Sequence, residues 1–238
     1  MQPIATLERR FGHLSGADLL HPVIAGQVAG RVALSSSFGA ESAVLLHMAA
    51  GIDPDVPVVF LDTGKLFPET HAYFEDLVVR LGLTDVRVRR PSLPELRGAD
   101  PDGTLHQRDH DACCHLRKTA PLARAMKGFD AWISGRKRYQ ADSRTAVPVF
   151  EAEDGRIKVN PLASFTSVDV AAYMKAHDLP PHPLVGEGYL SIGCAPCTTP
   201  VKPGEDSRAG RWRGSDKTEC GIHFTRNGKP VRKARVAA

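Results

Sequence analysis

Short apolar runs alternate along the chain with longer segments whose apolar residues recur at helical spacing. The apolar runs, bounded by turn residues, predict strands at residues 31–35, 56–61, 85–89 and 131–134. The longer segments predict helices at residues 41–50, 68–81, 116–127 and 168–177. Two further short runs, 147–150 and 157–159, flank an Asp-Gly turn and predict a pair of neighbouring strands.

This alternation determines the expected architecture. Strands that alternate with helices form parallel sheets, and the helices pack on the sheet faces. We predict one α/β domain with a Rossmann-like sheet that is parallel except for a mixed edge, with helices on both faces. From about residue 200 onward Gly, Arg, Lys and other polar residues dominate. We therefore assign residues 1–200 to the domain and residues 201–238 to a basic, flexible C-terminal segment.

The charge is unevenly distributed along the 238 residues. The whole chain has a net charge of +4. From Arg208 to the end, nine Lys or Arg against two acidic residues give +7, which leaves −3 for the part before it. A basic segment attracts nucleic acid or a small anionic substrate. Trp212 and Phe224 are its only aromatic residues, so base stacking has little surface and we expect no nucleic-acid partner.

The N-terminus shows no export signal, because Glu8, Arg9 and Arg10 stand where an apolar segment would be needed. No later stretch has the length and apolarity of a membrane span. The sequence therefore predicts a soluble, cytoplasmic protein without a membrane partner. The sequence is also compatible with a homo-oligomer.

The five cysteines form three groups. They are the adjacent pair Cys113 and Cys114, the C-x-x-C pair Cys194 and Cys197, and the single Cys220. In a reducing compartment, grouped cysteines more often bind metals or act in catalysis than form disulfides. A zinc ribbon is the main rival, but it usually has C-x-x-C at both ends with a short loop between. Here one pair has no spacer and the pairs lie 80 positions apart, which favours an iron–sulfur cluster on four cysteines and leaves one reactive thiol.

Two polar loops follow the first two predicted strands. Small and hydroxyl residues before a helix expose backbone N–H groups that suit a phosphate. The carboxyl ends of neighbouring parallel strands form the crevice where open α/β sheets bind ligands. The residues assigned to this nucleotide site are Ser35, Ser37, Gly39, Glu41 and Ser42 in the first loop and Asp62, Thr63 and Gly64 in the second.

Five motifs occur in one order along residues 30–225. They are SSSFGAES at 35–42, LDTGKLFPET at 61–70, CCHLRK at 113–118, CAPC at 194–197 and KTECGIH at 217–223. Together they resemble the assimilatory adenylyl-sulfate and phosphoadenylyl-sulfate reductases of the PP-loop adenine nucleotide α-hydrolase superfamily. The resemblance implies that a sulfonucleotide is cleaved reductively to sulfite and an adenosine nucleotide in sulfate assimilation and cysteine biosynthesis. Thioredoxin or glutaredoxin would supply the electrons.

The cysteine pairs indicate which sulfonucleotide to expect. Members with C-C and C-x-x-C hold a [4Fe–4S] cluster and use adenylyl sulfate, whereas forms specific for the 3′-phosphorylated compound mostly lack all four cysteines. The resemblance therefore implies a cluster on Cys113, Cys114, Cys194 and Cys197, and adenylyl sulfate as substrate. Adjacent cysteines diverge by about 100° around a regular helix, so we expect a local distortion there. The first loop has Phe38-Gly39 where the superfamily usually has Gly-Gly, which fits nucleotide binding without ATP hydrolysis.

The reaction requires a nucleophile and fixed cations. Sulfur(VI) is electrophilic and a thiolate is its natural attacker, so Cys220 is the expected nucleophile and S-sulfocysteine the intermediate. Neighbouring cations, among them His223, favour the thiolate. The resemblance also implies that Lys118 reaches the substrate from beside the cysteines. It assigns His110, Arg136, Arg208 and Arg211 to the anionic groups of the substrate.

Three other functions remain compatible with the sequence. The first is reduction of phosphoadenylyl sulfate, alone or together with adenylyl sulfate. The second is RNA modification by a PP-loop iron–sulfur enzyme, and the third is redox sensing by a non-catalytic module. The RNA-modifying enzyme predicts ATP hydrolysis and salt-sensitive RNA binding. The sensor predicts nucleotide binding without sulfite formation.

Overall fold

The computed structural model describes residues 2–222, so His223 and the later residues of the predicted C-terminal segment lie outside it. A six-stranded sheet forms its centre. The strands are β1 (Val32–Ser36), β2 (Val58–Leu61), β3 (Val86–Arg89), β4 (Ala131–Ser134), β5 (Phe150–Glu153) and β6 (Arg156–Val159). Their order in the sheet is β3-β2-β1-β4-β6-β5, and only β5 runs antiparallel to its neighbour. The predicted parallel sheet with a mixed edge is confirmed.

Both faces of the sheet are covered. Along the central strands alternate side chains point to opposite faces, so Leu34, Val58 and Phe60 join the larger core while Ala33 and Val59 join a second one. Strands buried on both faces are apolar throughout, which explains why β1 and β2 read as continuous apolar runs. The helices of the two layers therefore pack against the same sheet from opposite sides, as predicted.

The α-helices of the described chain differ in how well the sequence predicts them. They are α1 (Ile4–Phe11), α2 (Gly16–Ile24), α3 (Ser42–Ala50), α4 (Pro68–Arg80), α5 (Leu93–Ala99), α6 (Leu105–Arg108), α7 (His110–Cys114), α8 (Ala120–Ala125) and α9 (Ser167–Ala176). The predictions for α3, α4 and α9 hold within one residue at each end. The first two helices and those between β3 and Cys114 are not predicted.

Two predicted elements need correction. The helix expected at 116–127 is a π-helical turn, His115–Thr119, followed by α8. The distortion begins directly after Cys114, next to the cysteine pair for which we expected one. The strand expected at 147–150 begins only at Phe150, because Pro148 has no N–H to donate to a strand ladder.

Residues 201–222 contain no regular helix or strand but contact the rest of the chain closely. An isolated bridge joins Thr198 to Arg211, and the backbone N–H of Trp212 donates to the carbonyl of Cys197 at 3.0 Å. Trp212 is 3% exposed and Glu219 is 2% exposed. The predicted division at residue 200 stays a prediction, although packing continues across it. None of the described helices has the length and apolarity needed to cross a bilayer.

Candidate functional site

A large cavity lies at the carboxyl ends of β1, β2 and β4. Its volume is about 200 Å³. In the sheet order, the chain moves from β1 to one side for β2 and to the other side for β4, so the cavity occupies the point where open α/β sheets bind ligands. Apolar side chains that include Leu34, Leu61 and Trp132 form its floor, and polar loops form its walls.

The turn after β1 exposes backbone groups to this cavity. Phe38 has a φ of +48°, a left-handed conformation, and its ring is fully buried against Phe60 and Phe74. Its N–H donates to the Ser36 hydroxyl at 3.1 Å. The N–H of Gly39 donates to the Ser42 hydroxyl at 2.8 Å. The buried Phe38 ring thus anchors the turn, and all five predicted residues of the first loop line the cavity: Ser35, Ser37, Gly39, Glu41 and Ser42.

The cavity wall is strongly cationic. Among residues 2–222, the cationic side chains that line it are Lys118, Arg136, Lys137, Arg144, Arg208 and Arg211. The carboxylates that line it are Glu41 and Glu219. A surplus of fixed positive charge around an enclosed space favours an anionic ligand. The thiol residue Cys220 lies on the same wall, which brings the predicted nucleophile and the predicted phosphate turn together.

Glu41 is held at the start of α3 by three side chains. Lys137 Nζ lies 3.0 Å from its carboxylate, Gln140 Nε2 donates at 2.8 Å, and the Tyr139 hydroxyl also donates to it. Burial alone would raise the pKa of Glu41, but Lys137 and these hydrogen bonds lower it. The sequence predicted Glu41 and missed Lys137, whose ammonium group is nearly buried.

Arg136 is fixed by a buried polar network at the end of β4. Its Nε donates to Asn160 Oδ1 at 3.4 Å, and it forms an ion pair with Glu151. Asn160 is fully buried and also accepts the Ser134 hydroxyl at 2.8 Å. Burial and the nearby Arg144 lower the pKa of Arg136, although arginine remains charged. The network directs a charged group at the cavity from the centre of the sheet.

Lys118 and Arg211 lie between this cavity and a second one. Burial would lower the pKa of Lys118, but the thiols of Cys194, Cys220 and Cys114 raise it above its ordinary value. The Arg211 guanidinium packs over the Trp212 ring at 4.4 Å, and its buried Nε has no hydrogen-bond partner among the described residues. A Cβ at Gly193 would overlap that guanidinium, so a larger residue there would require the Arg211 side chain to move.

Four of the residues predicted to bind the substrate, Asp62, Thr63, Gly64 and His110, do not line the large cavity. Asp62 accepts the Gly64 N–H at 3.0 Å and pairs with Arg90 Nε at 2.8 Å, so it closes its own loop. The Thr63 hydroxyl lies 3.3 Å from Cys194 Sγ, and its carbonyl accepts from Arg117 at 2.8 Å.

His110 and four of the cysteines line the second cavity, which is small. Its other lining residues include Lys65, Lys118, Arg117 and Trp212, and the thiol residues are Cys113, Cys114, Cys194 and Cys197. Burial lowers the pKa of His110, and Lys217 and His106 lower it further. The structure thus brings the two cysteine pairs to one wall, although 80 positions separate them in the chain.

The description of the chain as a metal-binding, iron–sulfur protein is wrong for this arrangement. No set of three or more His, Cys, Asp or Glu side chains between residues 2 and 222 is placed to hold a metal ion. The cavity between the thiols is about 10 Å³, which is room for about one water molecule. Burial raises the pKa of Cys113 and raises that of Cys114 to about 12. For Cys194 burial would also raise the pKa, but Lys118 and the Thr63 hydroxyl lower it below its ordinary value. The [4Fe–4S] cofactor itself stays a prediction, and no step proposed below depends on it.

Several site residues escaped the sequence analysis. Lys137 and Arg144 follow β4 in a run rich in cations, and Arg144 pairs with Glu219 across 75 positions. The cationic run at the end of a strand was a usable signal, as was the position of Glu219 next to Cys220. Arg117 was named only as part of a motif, yet it forms a buried ion pair with Asp100.

The fold and cavity define a class: an α/β protein with a cationic cavity at the carboxyl edge of its sheet and a thiol residue on the cavity wall. The family model described as "Phosphoadenosine phosphosulfate reductase domain" matches residues 31–200. The chain therefore belongs to the phosphoadenosine phosphosulfate reductase family. The family is named for reductases of the 3′-phosphorylated sulfonucleotide, and we expect such reductases mostly to lack the four cysteines.

Similar proteins carry two substrate names. An adenosine 5′-phosphosulfate reductase of Mesorhizobium japonicum is 53% identical over 221 residues, covering 93% of this chain and 87% of that protein. A phosphoadenosine 5′-phosphosulfate reductase of Gloeobacter violaceus is 42% identical over 198 residues, covering 81% of this chain and 82% of that protein.

Solved structures agree on the architecture. The phosphoadenylyl-sulfate reductase of Candida auris, in a phosphate complex, is similar with a TM-score of 0.71 and 27% identity, covering 82% of this chain and 96% of that one. Yeast FAD synthetase is similar in fold alone, with a TM-score of 0.54 and 15% identity, covering 84% of this chain and 69% of that one. The predicted fold class and family resemblance are confirmed.

Proposed function

We propose that this chain is an adenylyl-sulfate reductase, which cleaves adenosine 5′-phosphosulfate to sulfite and adenosine monophosphate. The observation that supports this most directly is the position of Cys220 on the wall of the cationic cavity that the turn after β1 also lines. The 53% identity to a reductase named for this substrate supports the choice of sulfonucleotide. A dithiol protein of the thioredoxin or glutaredoxin type is the proposed electron donor, in a cytoplasmic setting.

The proposed chemistry has two displacement steps. The Cys220 thiolate attacks the sulfur of the sulfate group, the bond from sulfur to the bridging oxygen breaks, and its electron pair leaves with adenosine monophosphate. Cys220 then carries a sulfonate. A thiolate of the donor attacks Cys220 Sγ and expels sulfite, and the donor's second thiol resolves the mixed disulfide. The donor ends as a disulfide and supplies both electrons.

The cations of the cavity suit the first step. Negative charge grows on the bridging oxygen as its bond to sulfur breaks, and fixed cations stabilise that charge most where water is excluded. Lys118 and Arg211 lie on the same wall as Cys220, while Arg136 is held by Asn160 from the sheet. Trp132 and Leu34 on the apolar floor suit the adenine ring.

The direct test compares two substrates. Purified protein is given adenylyl sulfate or its 3′-phosphorylated relative with reduced thioredoxin, and sulfite is measured. We expect sulfite from adenylyl sulfate, and none from the Cys220→Ser variant, which should still bind adenosine monophosphate. Sulfite from the 3′-phosphorylated compound alone would support the function of the Gloeobacter relative instead. ATP hydrolysis with RNA binding, or nucleotide binding without sulfite, would overturn the proposal.

The intermediate provides a second test. With the reductant withheld, adenylyl sulfate should place a sulfonate on the peptide 218–223, detected by mass spectrometry. The Cys197→Ser variant is not a suitable control, because Cys197 lies in the second cavity beside Lys118. Glu205→Gln is a better control, because Glu205 lies in the same segment and its contacts are the exposed Arg213 at 2.8 Å and the backbone N–H of Lys202 at 2.9 Å.

A further inference from the structure

Glu219 precedes the proposed nucleophile and is one of the most buried charged residues of the chain. Its side chain is 3% exposed. Burying a carboxylate is costly unless cations and hydrogen bonds compensate it. Burial would raise the pKa of Glu219, but Arg144, Arg208 and Arg136 keep it below its ordinary value. A buried ionised carboxylate beside Cys220 therefore needs a structural or functional reason.

The contacts of Glu219 tie the Cys220 segment to the sheet domain. Arg144 donates from Nε at 2.6 Å and from Nη2 at 2.8 Å, one bond to each carboxylate oxygen. This bidentate geometry fixes orientation as well as distance. Arg208 Nη2 donates to the carboxylate at 3.3 Å and to the Thr218 carbonyl at 2.9 Å. Arg144 follows β4 and lies 75 positions before Glu219, so the pair links the C-terminal segment to the sheet.

A second contact holds the segment on the other side of Thr218. Lys217 Nζ forms an ion pair with Asp111 of α7, and Lys217 is 9% exposed. The place of the Cys220 thiol in the cavity follows from the backbone on which it sits. The Arg144–Glu219 pair is the nearest anchor to it.

We propose that Glu219 is a positioning residue, which seats the Cys220 thiol in the nucleotide cavity through its paired hydrogen bonds with Arg144 and its bridge to Arg208. This inference rests on the proposed function for its catalytic consequence. Glu219 also offsets the charge of two arginines that face the cavity. Its loss should therefore slow the attack on sulfur without weakening the binding of the nucleotide.

The variant Glu219→Gln keeps the size of the side chain and removes its charge, and Glu205→Gln is the matched control in the same segment. With adenylyl sulfate at saturation and the reductant withheld, we expect the sulfonation of peptide 218–223 to slow about ten- to a hundredfold in Glu219→Gln, by analogy with other misplaced catalytic groups. The affinity for adenosine monophosphate, measured by calorimetry, should be unchanged or tighter. Glu205→Gln should match the wild type in both.

A readout without substrate separates this inference from the proposed function. In the absence of nucleotide, iodoacetamide should alkylate Cys220 faster in Glu219→Gln than in wild type, as measured on the peptide 218–223. Equal alkylation and equal sulfonation in the two proteins would overturn the positioning role. A fall in nucleotide affinity that parallels the fall in rate would overturn it too, because that pattern indicates damage to the fold. Absence of any adduct in wild type would instead overturn the proposed function, and the alkylation result would still decide the role of Glu219.

Discussion

Phe38 has a backbone conformation that usually belongs to glycine. Its φ of +48° is left-handed, which costs a residue with a Cβ roughly 1–2 kcal/mol. The ring compensates, because it is fully buried with its centroid 5.0 Å from that of Phe60 and 4.9 Å from that of Phe74. The two effects together place the turn that faces the nucleotide cavity.

At Phe38 the glycine variant should therefore be more stable than the alanine variant, the reverse of the usual order. Phe38→Ala loses the ring and keeps the strain, so its free energy of unfolding should fall by roughly 3–5 kcal/mol. Phe38→Gly loses the ring but relieves the strain, so it should be about 1 kcal/mol more stable than the alanine variant. Urea unfolding measures both. Phe60, in β2, is the control, because there alanine should be more stable than glycine; the same order at both positions would contradict the explanation.

Lys158 is a fully buried cation below the cavity floor. Its Nζ lies 2.6 Å from Glu153 and 4.4 Å from the centroid of the Trp132 ring. Burial, with Arg136 nearby, lowers the pKa of Lys158 from 10.5 to about 8. Between these values the unfolded chain binds more protons than the folded chain, so this residue makes stability rise with pH.

The variant Lys158→Met tests that dependence. Below pH 8 the wild type carries the full penalty of a buried charge, and the penalty disappears as the pH approaches 10.5. Over that window the wild type should gain up to about 3 kcal/mol relative to the variant. Urea unfolding at pH 7, 8.5 and 10 measures the gain. Lys127→Met, at an exposed lysine, is the control, and a pH profile for Lys158→Met that parallels that of wild type would contradict the assignment.

One residue of the π-helical turn between α7 and α8 forms a buried ion pair. Arg117 lies in this turn, and it pairs with Asp100 at the end of α5 while donating to the carbonyl of Thr63 at 2.8 Å. The Asp100 side chain is completely buried. Three elements that are distant in sequence therefore meet at one guanidinium.

Removing the Asp100 charge should destabilise this region strongly. Asp100→Asn leaves Arg117 buried without its counter-ion, which typically costs roughly 3–5 kcal/mol. The matched control is Asp102→Asn, since Asp102 pairs with Arg108 at 2.7 Å but both side chains are half exposed. The control should leave the free energy of unfolding almost unchanged, because solvent screens an exposed ion pair. Similar losses in the two variants, measured by urea unfolding, would show that burial of the pair is not what matters.

The elements of this chain show what local pattern can and cannot predict. The boundaries of α3, α4 and β4 follow from apolar spacing and turn residues, which are encoded within the element itself. The π-helical turn does not, because its irregular hydrogen bonds are stabilised by the distant Asp100. In the site, motifs predicted that the turn after β1 and Cys220 belong together, and both line the same cavity. The cationic run after β4 was a signal for Lys137 and Arg144, but their pairing with Glu41 and Glu219 depends on contacts formed only in the folded chain.

At the scale of the whole molecule, the cavity is assembled from opposite ends of the chain. The sheet domain supplies the turn after β1, Arg136 and Lys118, while residues after 200 supply Arg208, Arg211 and Cys220. The C-terminal segment carries the net positive charge of the sequence. When this segment lines the cavity, its arginines strengthen the preference of the cavity for an anionic ligand. A site divided in this way is complete only when the segment is in place.

This arrangement predicts where the chain can be shortened. A chain that ends at residue 200 lacks Trp212, which is 3% exposed, and leaves Arg144 without the carboxylate of Glu219. Losing a buried tryptophan typically costs roughly 3–5 kcal/mol, and each kcal/mol lowers the Tm of a domain of this size by about 2–4 °C. We therefore expect the chain 1–200 to melt roughly 10 °C or more below the chain 1–222. Calorimetry of the two truncated proteins beside the full chain measures the difference. Equal Tm values for 1–200 and 1–222 would mean that residues 201–222 form a separate, flexible segment, as their composition alone predicts. A lower Tm for 1–200 would instead make them part of the domain that they help to close.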